Sequence, residues 1–268
     1  MLTIEHDRLF SGLTPEQKQD LVPNNLIFLG YRGSIAHGTY VPQEDPDSID
    51  DKDLMGVFVG PLEHYIGLSR ARKPDGERSD VHERFINEFD AVSYEIRKFI
   101  NLLLKGNPNI FSVLWLPEKH VLFQNEAWRL ILANKDAFIS RQAYHAFIGY
   151  AHDQVKRMNH FHFGGYMGKK RKELVERFGY DTKNASHLIR LLRMGIEFLI
   201  EGRLYVERAD AAQLIAIKRG EWTVDMVKAE SDRLFALAEE SYIRSPLPNQ
   251  PDEQRAEQVL MNIVRMYL

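Results

Sequence analysis

The chain has 268 residues, 44% of them hydrophobic and 27% charged, with a formal net charge of −3. That is enough for one large domain or two modest ones with an ample core, while the near-neutral balance gives no global nucleic-acid footprint, so any such contact must be a local patch. The absence of cysteine excludes disulfides, thiolate metal sites and cysteine nucleophiles. Glu5, His6, Asp7 and Arg8 interrupt the apolar core that a signal peptide would need. No apolar run reaches the ~18 residues of a membrane span, so a soluble cytoplasmic protein with no membrane partner is expected.

Taken in order, Thr14-Pro15-Glu16-Gln17 reads as an N-cap, a proline at the first helical position and an acidic first turn. The helix should stop near Pro23. Leu26-Ile27-Phe28-Leu29 is short enough for a buried strand, expected over 26–30. It runs into Gly30-Tyr31-Arg32-Gly33-Ser34, and a polar, proline-bearing loop leads on to Asp51-Lys52-Asp53. An apolar run over 54–59 follows and stops at Gly60-Pro61. Residues 69–80 are charged and contain glycine and proline, the composition of a loop. The alternation over 84–93 predicts a third strand with Glu88 and Asp90 on one face. Helical spacing over 94–104 ends at Gly106, with Pro108 beyond.

After Gly106 the pattern turns helical, with segments near 125–139, 140–160, 166–178, 182–201, 209–218, 223–243 and 252–267. Only 119–123 and 203–207 look extended. An α+β organisation is expected: a mixed sheet with helices over 1–106, then a mainly helical domain over 107–268 that completes a cleft.

If 51–57 is a strand, Asp51 and Asp53 point the same way, about 7 Å apart along it. Such a pair can share divalent cations. A Gly-Ser turn at a helix start offers backbone N–H groups to phosphate. The order of strand, Gly33-Ser34, short helix and Asp-x-Asp strand therefore describes a metal–nucleotide site. Gly33-Ser34-x-Ala36-His37-Gly38-Thr39 and Asp51-x-Asp53-x-x-Gly56-Val57 resemble the nucleotidyltransferase superfamily typified by DNA polymerase beta. Within it they are similar to predicted bacterial and phage nucleotidyltransferases, some associated with RNA repair. Two departures stand out. Gln43-Glu44-Asp45-Pro46-Asp47 lengthens the linker, and Asp50 stands where that group often has serine.

The resemblance implies Mg²⁺- or Mn²⁺-dependent transfer of a nucleotidyl group from a nucleoside triphosphate to a hydroxyl, with two ions held by Asp51, Asp53 and a third carboxylate. Asp90 is the expected third ligand, with Glu88 as the alternative. Gly33 and Ser34 would hold phosphate oxygens. Lys183, His187 and Arg190 recur at i, i+4 and i+7 on one helix face, a stripe suited to a triphosphate and also to plain solvation. Leu188, Leu191, Leu192 and Ile196 are the candidates for the buried face. An RNA 3′ end, tRNA included, is the first expectation for the acceptor. A protein hydroxyl, a small molecule such as an aminoglycoside, a toxin-like role and a non-catalytic nucleic-acid-binding module are the alternatives.

Gly168-Lys169-Lys170-Arg171-Lys172 is not a Walker A loop, since Phe163 stands where its first glycine would be and no serine or threonine follows the lysines. With Phe161, Phe163 and Tyr166 nearby it could grip a polynucleotide, or it could be an exposed charged turn. His152, His160 and His162 lack the spacing of a zinc site. No G-x-S-x-G elbow supports a serine hydrolase.

Overall fold

The computed structural model describes residues 10–42, 44–45, 48, 50–66, 80–159 and 169–267. Helix α1 (Pro15–Leu21) opens on a capping box: the Thr14 hydroxyl accepts from the Gln17 amide, and the Gln17 side chain accepts from the Thr14 amide at 2.9 Å. Strand β1 (Leu26–Tyr31), the single turn α2 (Gly33–Ala36), β2 (Lys52–Phe58), α3 (Glu63–Ile66), β3 (Val81–Ile86) and β4 (Phe89–Glu95) follow. Next come α4 (Ile96–Leu104), α5 (Pro108–Ser112), β5 (Val121–Gln124), α6 (Glu126–Ala133), α7 (Ala143–Asn159) and α8 (Lys169–Phe178). The chain continues through α9 (Thr182–Glu201), α10 (Ala211–Lys218), α11 (Val224–Arg244) and α12 (Glu253–Arg265). Among the described residues no helix is long and apolar enough to cross a membrane.

The strands form one mixed sheet in the order β3-β4-β2-β1-β5. Strands β2 and β4 run parallel and the other neighbours antiparallel. Side chains alternate across it. Leu29, Leu54, Phe89 and Ala91 face a small cluster with Phe10, Leu13 and Leu21 from the N-terminal segment. Met55 and Val57 face the main core with Phe99, Phe111, Trp128 and Phe198. Asp51 and Asp53 share the parity of Met55, and Asp90 that of Val92. These acids therefore point to the helical side, at the end of the sheet where the apolar filling stops. A second apolar cluster joins Ala151 and Met158 of α7 to Leu188, Ile189 and Leu192 of α9 and Leu234 of α11.

The α+β architecture is as expected, and α9 spans 182–201. Asp181 caps its start by accepting from the Asn184 amide, and Gly202, at φ 68°, ends it. Three local expectations change. The 84–93 stretch is not one strand: the chain reverses at Asn87, whose φ is 55°, so β3 and β4 form a hairpin. Tyr94 and Glu95 finish β4 instead of starting α4, because the Glu95 carboxylate serves as the cap, accepting from the Arg97 and Lys98 amides. Residues 203–207 join no strand. The expected division at 106 cuts through both sheet and core: β5 pairs with β1 at the sheet edge, and the main cluster takes residues from either side of it.

Candidate active site

The Gly33-Ser34 turn leaves the end of β1 directly beside β2. The Arg32 amide donates to the Asp53 carbonyl at 3.0 Å. Gly33 adopts φ +61°, and a Cβ there would collide with the Asp53 carboxylate, so glycine is required for both conformation and approach. Asp53 and Asp90 are register partners on β2 and β4. The Arg32 guanidinium lies between them, 3.5 Å from Asp53 and 3.2 Å from Asp90, and its Nε donates to the Leu54 carbonyl at 3.2 Å. Desolvation raises the Asp53 pKa to about 6; Arg32 opposes the rise and Asp90 adds to it. Asp51, one residue before β2, is also raised by desolvation, with Lys183 opposing and Asp90 adding. Glu88 turns away, its carboxylate 2.7 Å from the Lys52 ammonium at the hairpin.

These acids and the Gly33-Ser34 turn form one wall of a cleft of about 490 Å³, whose other walls include Tyr150, Gln154, Arg171, Lys183, His187 and Arg190. The i, i+4, i+7 stripe of α9 thus faces the turn across the cleft. Its three members differ in state. Lys183 sits 3.5 Å from buried Asp50. Asp50 is strapped by Lys218 at 2.7 Å and by the Val41 amide at 3.0 Å, which anchors the loop before β2 to α10. Burial, with Arg190 and Lys183 beside it, holds the His187 imidazole well below its usual range, so the ring is uncharged. Arg190 is only 8% exposed. Its Nη1 donates to His37 Nε2 at 2.8 Å and approaches the Met194 sulfur at 3.4 Å. Among the described residues no carboxylate pairs with it, and burial lowers its pKa to about 10. The buried Ser34 hydroxyl has no partner among the described residues.

The helical basic run is only partly in view. Arg171 pairs with Asp181 at 2.8 Å, while residues 160–168, with His160, Phe161, His162, Phe163, Tyr166 and Gly168, lie outside the described residues, as do Gln43, Pro46 and Asp47 of the linker. His152 stacks on Phe235 with ring centroids 4.6 Å apart. Residues that sequence reasoning did not assign include Arg32, His37 and Lys218. Their partners are distant in sequence, and only position next to Gly33-Ser34 could have drawn attention to the first two.

Among the described residues no three acidic or histidine side chains are gathered closely enough to form a metal site by themselves. Asp51, Asp53 and Asp90 nevertheless suit a hard divalent cation. They are oxygen donors on one wall, and burial, with Asp90 adding to it, already raises the Asp53 pKa against the pull of Arg32, a penalty that bound positive charge relieves.

A mixed sheet that sets a Gly-Ser turn against an Asp-x-Asp strand, with a third aspartate on the parallel neighbour, is the arrangement of a polymerase beta-like nucleotidyltransferase. Residues 7–262 match the RNA repair pathway DNA polymerase beta family, and the chain belongs to it. No curated protein matches the chain. Among solved structures, a nucleotidyltransferase-like protein from Exiguobacterium sibiricum aligns over 98% of this chain and 79% of its own, at 10% identity and a TM-score of 0.25. At that score no residue is carried across from it.

Proposed function

We propose that the chain is a metal-dependent nucleotidyltransferase that moves a nucleoside monophosphate from a nucleoside triphosphate to a hydroxyl, releasing pyrophosphate. The observation that carries this reading is Arg190, a buried guanidinium with no carboxylate partner among the described residues, in a cleft whose facing wall bears Asp51, Asp53 and Asp90. An unpaired buried charge is costly, by several kcal/mol, and a triphosphate supplies the missing anion.

Asp51, Asp53 and Asp90 would hold two Mg²⁺ or Mn²⁺ ions, which when bound offset phosphate charge and ease ionisation of the attacking hydroxyl. The protein's own groups do the rest. With a pKa of about 6, Asp53 is mostly ionised at neutral pH and able to act as a ligand. Asp90 would accept the proton of the attacking hydroxyl. The Gly33 and Ser34 amides and the Ser34 hydroxyl donate to β/γ-phosphate oxygens. Lys183 and Arg190 neutralise charge as it develops on the leaving group, in a partly dry cleft where such contacts are strong. Uncharged His187 adds a neutral hydrogen-bonding edge. In this scheme the helical residues beyond 106 complete the cleft.

The acceptor we favour is an RNA 3′ end, in the cytoplasm, a choice supported by the RNA repair description of the family. Each labelled nucleoside triphosphate, with Mg²⁺, total RNA and a protein extract, tests both parts. Label on RNA 3′ ends is expected. Label on protein would replace the acceptor, and absence of transfer to any acceptor would remove the catalytic reading.

A further inference from the structure

His37 follows the Gly33-Ser34 turn at the end of α2 and is 4% exposed. Three hydrogen bonds tie it to the helical half. Its carbonyl accepts from the Arg208 amide at 3.2 Å. Its Nδ1 lies 2.8 Å from the Val206 carbonyl, and its Nε2 lies 2.8 Å from Arg190 Nη1. A carbonyl can only accept and a guanidinium can only donate. The tautomer is therefore fixed, with the proton on Nδ1 and a lone pair on Nε2. Burial, then the charge of Arg190, hold the imidazole well below its usual pKa, which keeps the ring neutral.

We infer that His37 is a positioning residue for the anionic substrate, its Nε2 lone pair aiming the Arg190 guanidinium into the cleft. The inference rests on the reading of the cleft as a triphosphate site. Its physical sense lies in the choice of acceptor. A carboxylate at this point would fix the arginine but cancel its charge. A neutral imidazole fixes one N–H and leaves the positive charge for phosphate oxygens. Among the described residues the other acceptor for Nη1, the Met194 sulfur, is also uncharged. Because His37 belongs to the turn that approaches Asp53, the same residue holds the acid wall and the α9 wall in register.

The test is calorimetric binding of inorganic tripolyphosphate to the full chain, a probe with the charge of the substrate but no base or sugar. His37→Asn retains an N–H for the Val206 carbonyl and loses the acceptor for Arg190. His37→Gln can place an oxygen where Nε2 stood. Loss of the one hydrogen bond that orients the guanidinium is worth about tenfold in affinity. H37N should therefore bind tripolyphosphate about tenfold more weakly than the parent, with H37Q within roughly threefold of it. If H37N does not fold, H37F replaces it, with the same loss expected. Parent affinity in the acceptor-less variant, or equal weakening in H37Q, overturns the inference. Parent affinity in Arg190→Ala would instead remove the anion site itself, which separates the two failures.

Discussion

Asp53 and Asp90 stand opposite one another on parallel strands β2 and β4, and a single guanidinium, that of Arg32, reaches both. Adjacent parallel strands lie roughly 4.8 Å apart, so two carboxylates facing the same side repel unless a cation intervenes. Burial takes Asp53 out of water, and Arg32 does not offset that cost: the pKa stands at about 6 against an ordinary 3.8, with Asp90 adding to the rise. The folded chain thus binds a proton that the unfolded chain has already released. Stability from the neutral form is full below the ordinary value and is lost as pH rises through about 6. Asp53→Asn has no such loss. Melting temperatures with chelator present should therefore diverge in favour of the variant between about pH 4 and pH 7, while nucleotidyl transfer falls by orders of magnitude. Parallel melting curves across that window would show that the burial of Asp53 beside Asp90 does not raise its carboxyl pKa.

The neighbouring acids make a discriminating pair. Asp90→Asn should abolish transfer as Asp53→Asn does. Glu88→Gln only loosens a half-exposed pair with Lys52, worth about 0–1 kcal/mol, and should leave activity near that of the parent. Steady-state rates of the two variants check this, and a Glu88→Gln loss equal to that of Asp90→Asn would reverse the assignment.

Much of this site could be read from the chain alone because its parts are local. Period-2 alternation put Asp51 and Asp53 on one face, and an i, i+4, i+7 spacing put Lys183, His187 and Arg190 on one helix side. The hairpin at Asn87 escaped notice because its turn depends on a left-handed asparagine inside otherwise continuous alternation. The extended character of 119–123 is local and legible, but its place in the sheet and the continuity of the core across 106 are not, because they depend on edge pairing of β5 with β1, a contact nearly a hundred residues away that has no local mark. Long-range ion pairs were equally invisible. Nothing in the sequence links Asp50 to Lys218, or His37 to Arg190, and these contacts give α9 and α10 their place over the Gly-Ser turn.

Lys218 gives the clearest stability test. Its ammonium, 5% exposed, sits 2.7 Å from a fully buried Asp50 carboxylate and 2.8 Å from the Thr39 carbonyl. Removing one member of a buried pair leaves the other charge uncompensated, a cost of about 3–5 kcal/mol. Lys218→Met should lower unfolding stability by that order in urea titrations, and Asp50→Ser in the same chain should restore part of it. A Lys218→Met chain as stable as the parent would mean that Asp50 is satisfied by Lys183 and the Val41 amide alone.

Arg190 tests the link between the two walls. A charge-assisted contact to phosphate in a partly dry cleft is worth roughly 1.5–3 kcal/mol. Arg190→Ala should accordingly weaken triphosphate binding by about ten- to a hundredfold. Arg190→Lys should recover only part, because lysine keeps the charge but not the fork that reaches both His37 and the ligand. Affinities measured with Mg²⁺ present decide this, and an unchanged alanine variant would reduce the arginine to a packing element of α9.

Gly33 and Gly38 bracket the turn and separate strain from site geometry. Both have positive φ, +61° and +69°, so alanine at either should cost roughly 1–2 kcal/mol for the left-handed backbone. Their surroundings differ. A Cβ at Gly38 meets nothing closer than Ala211 at 3.7 Å, an ordinary contact, whereas one at Gly33 runs into the Asp53 carboxylate. That carboxylate is held from the other side by Arg32 and by the backbone of β2, so it cannot yield without leaving the position opposite Asp90. Gly33→Ala should therefore lose at least as much stability as Gly38→Ala in chemical denaturation and far more nucleotidyl transfer, by tenfold or more, from about 1.4 kcal/mol per decade of misplaced contact. Equal activity in the two variants would show that close approach of the turn to Asp53 is not needed for the reaction.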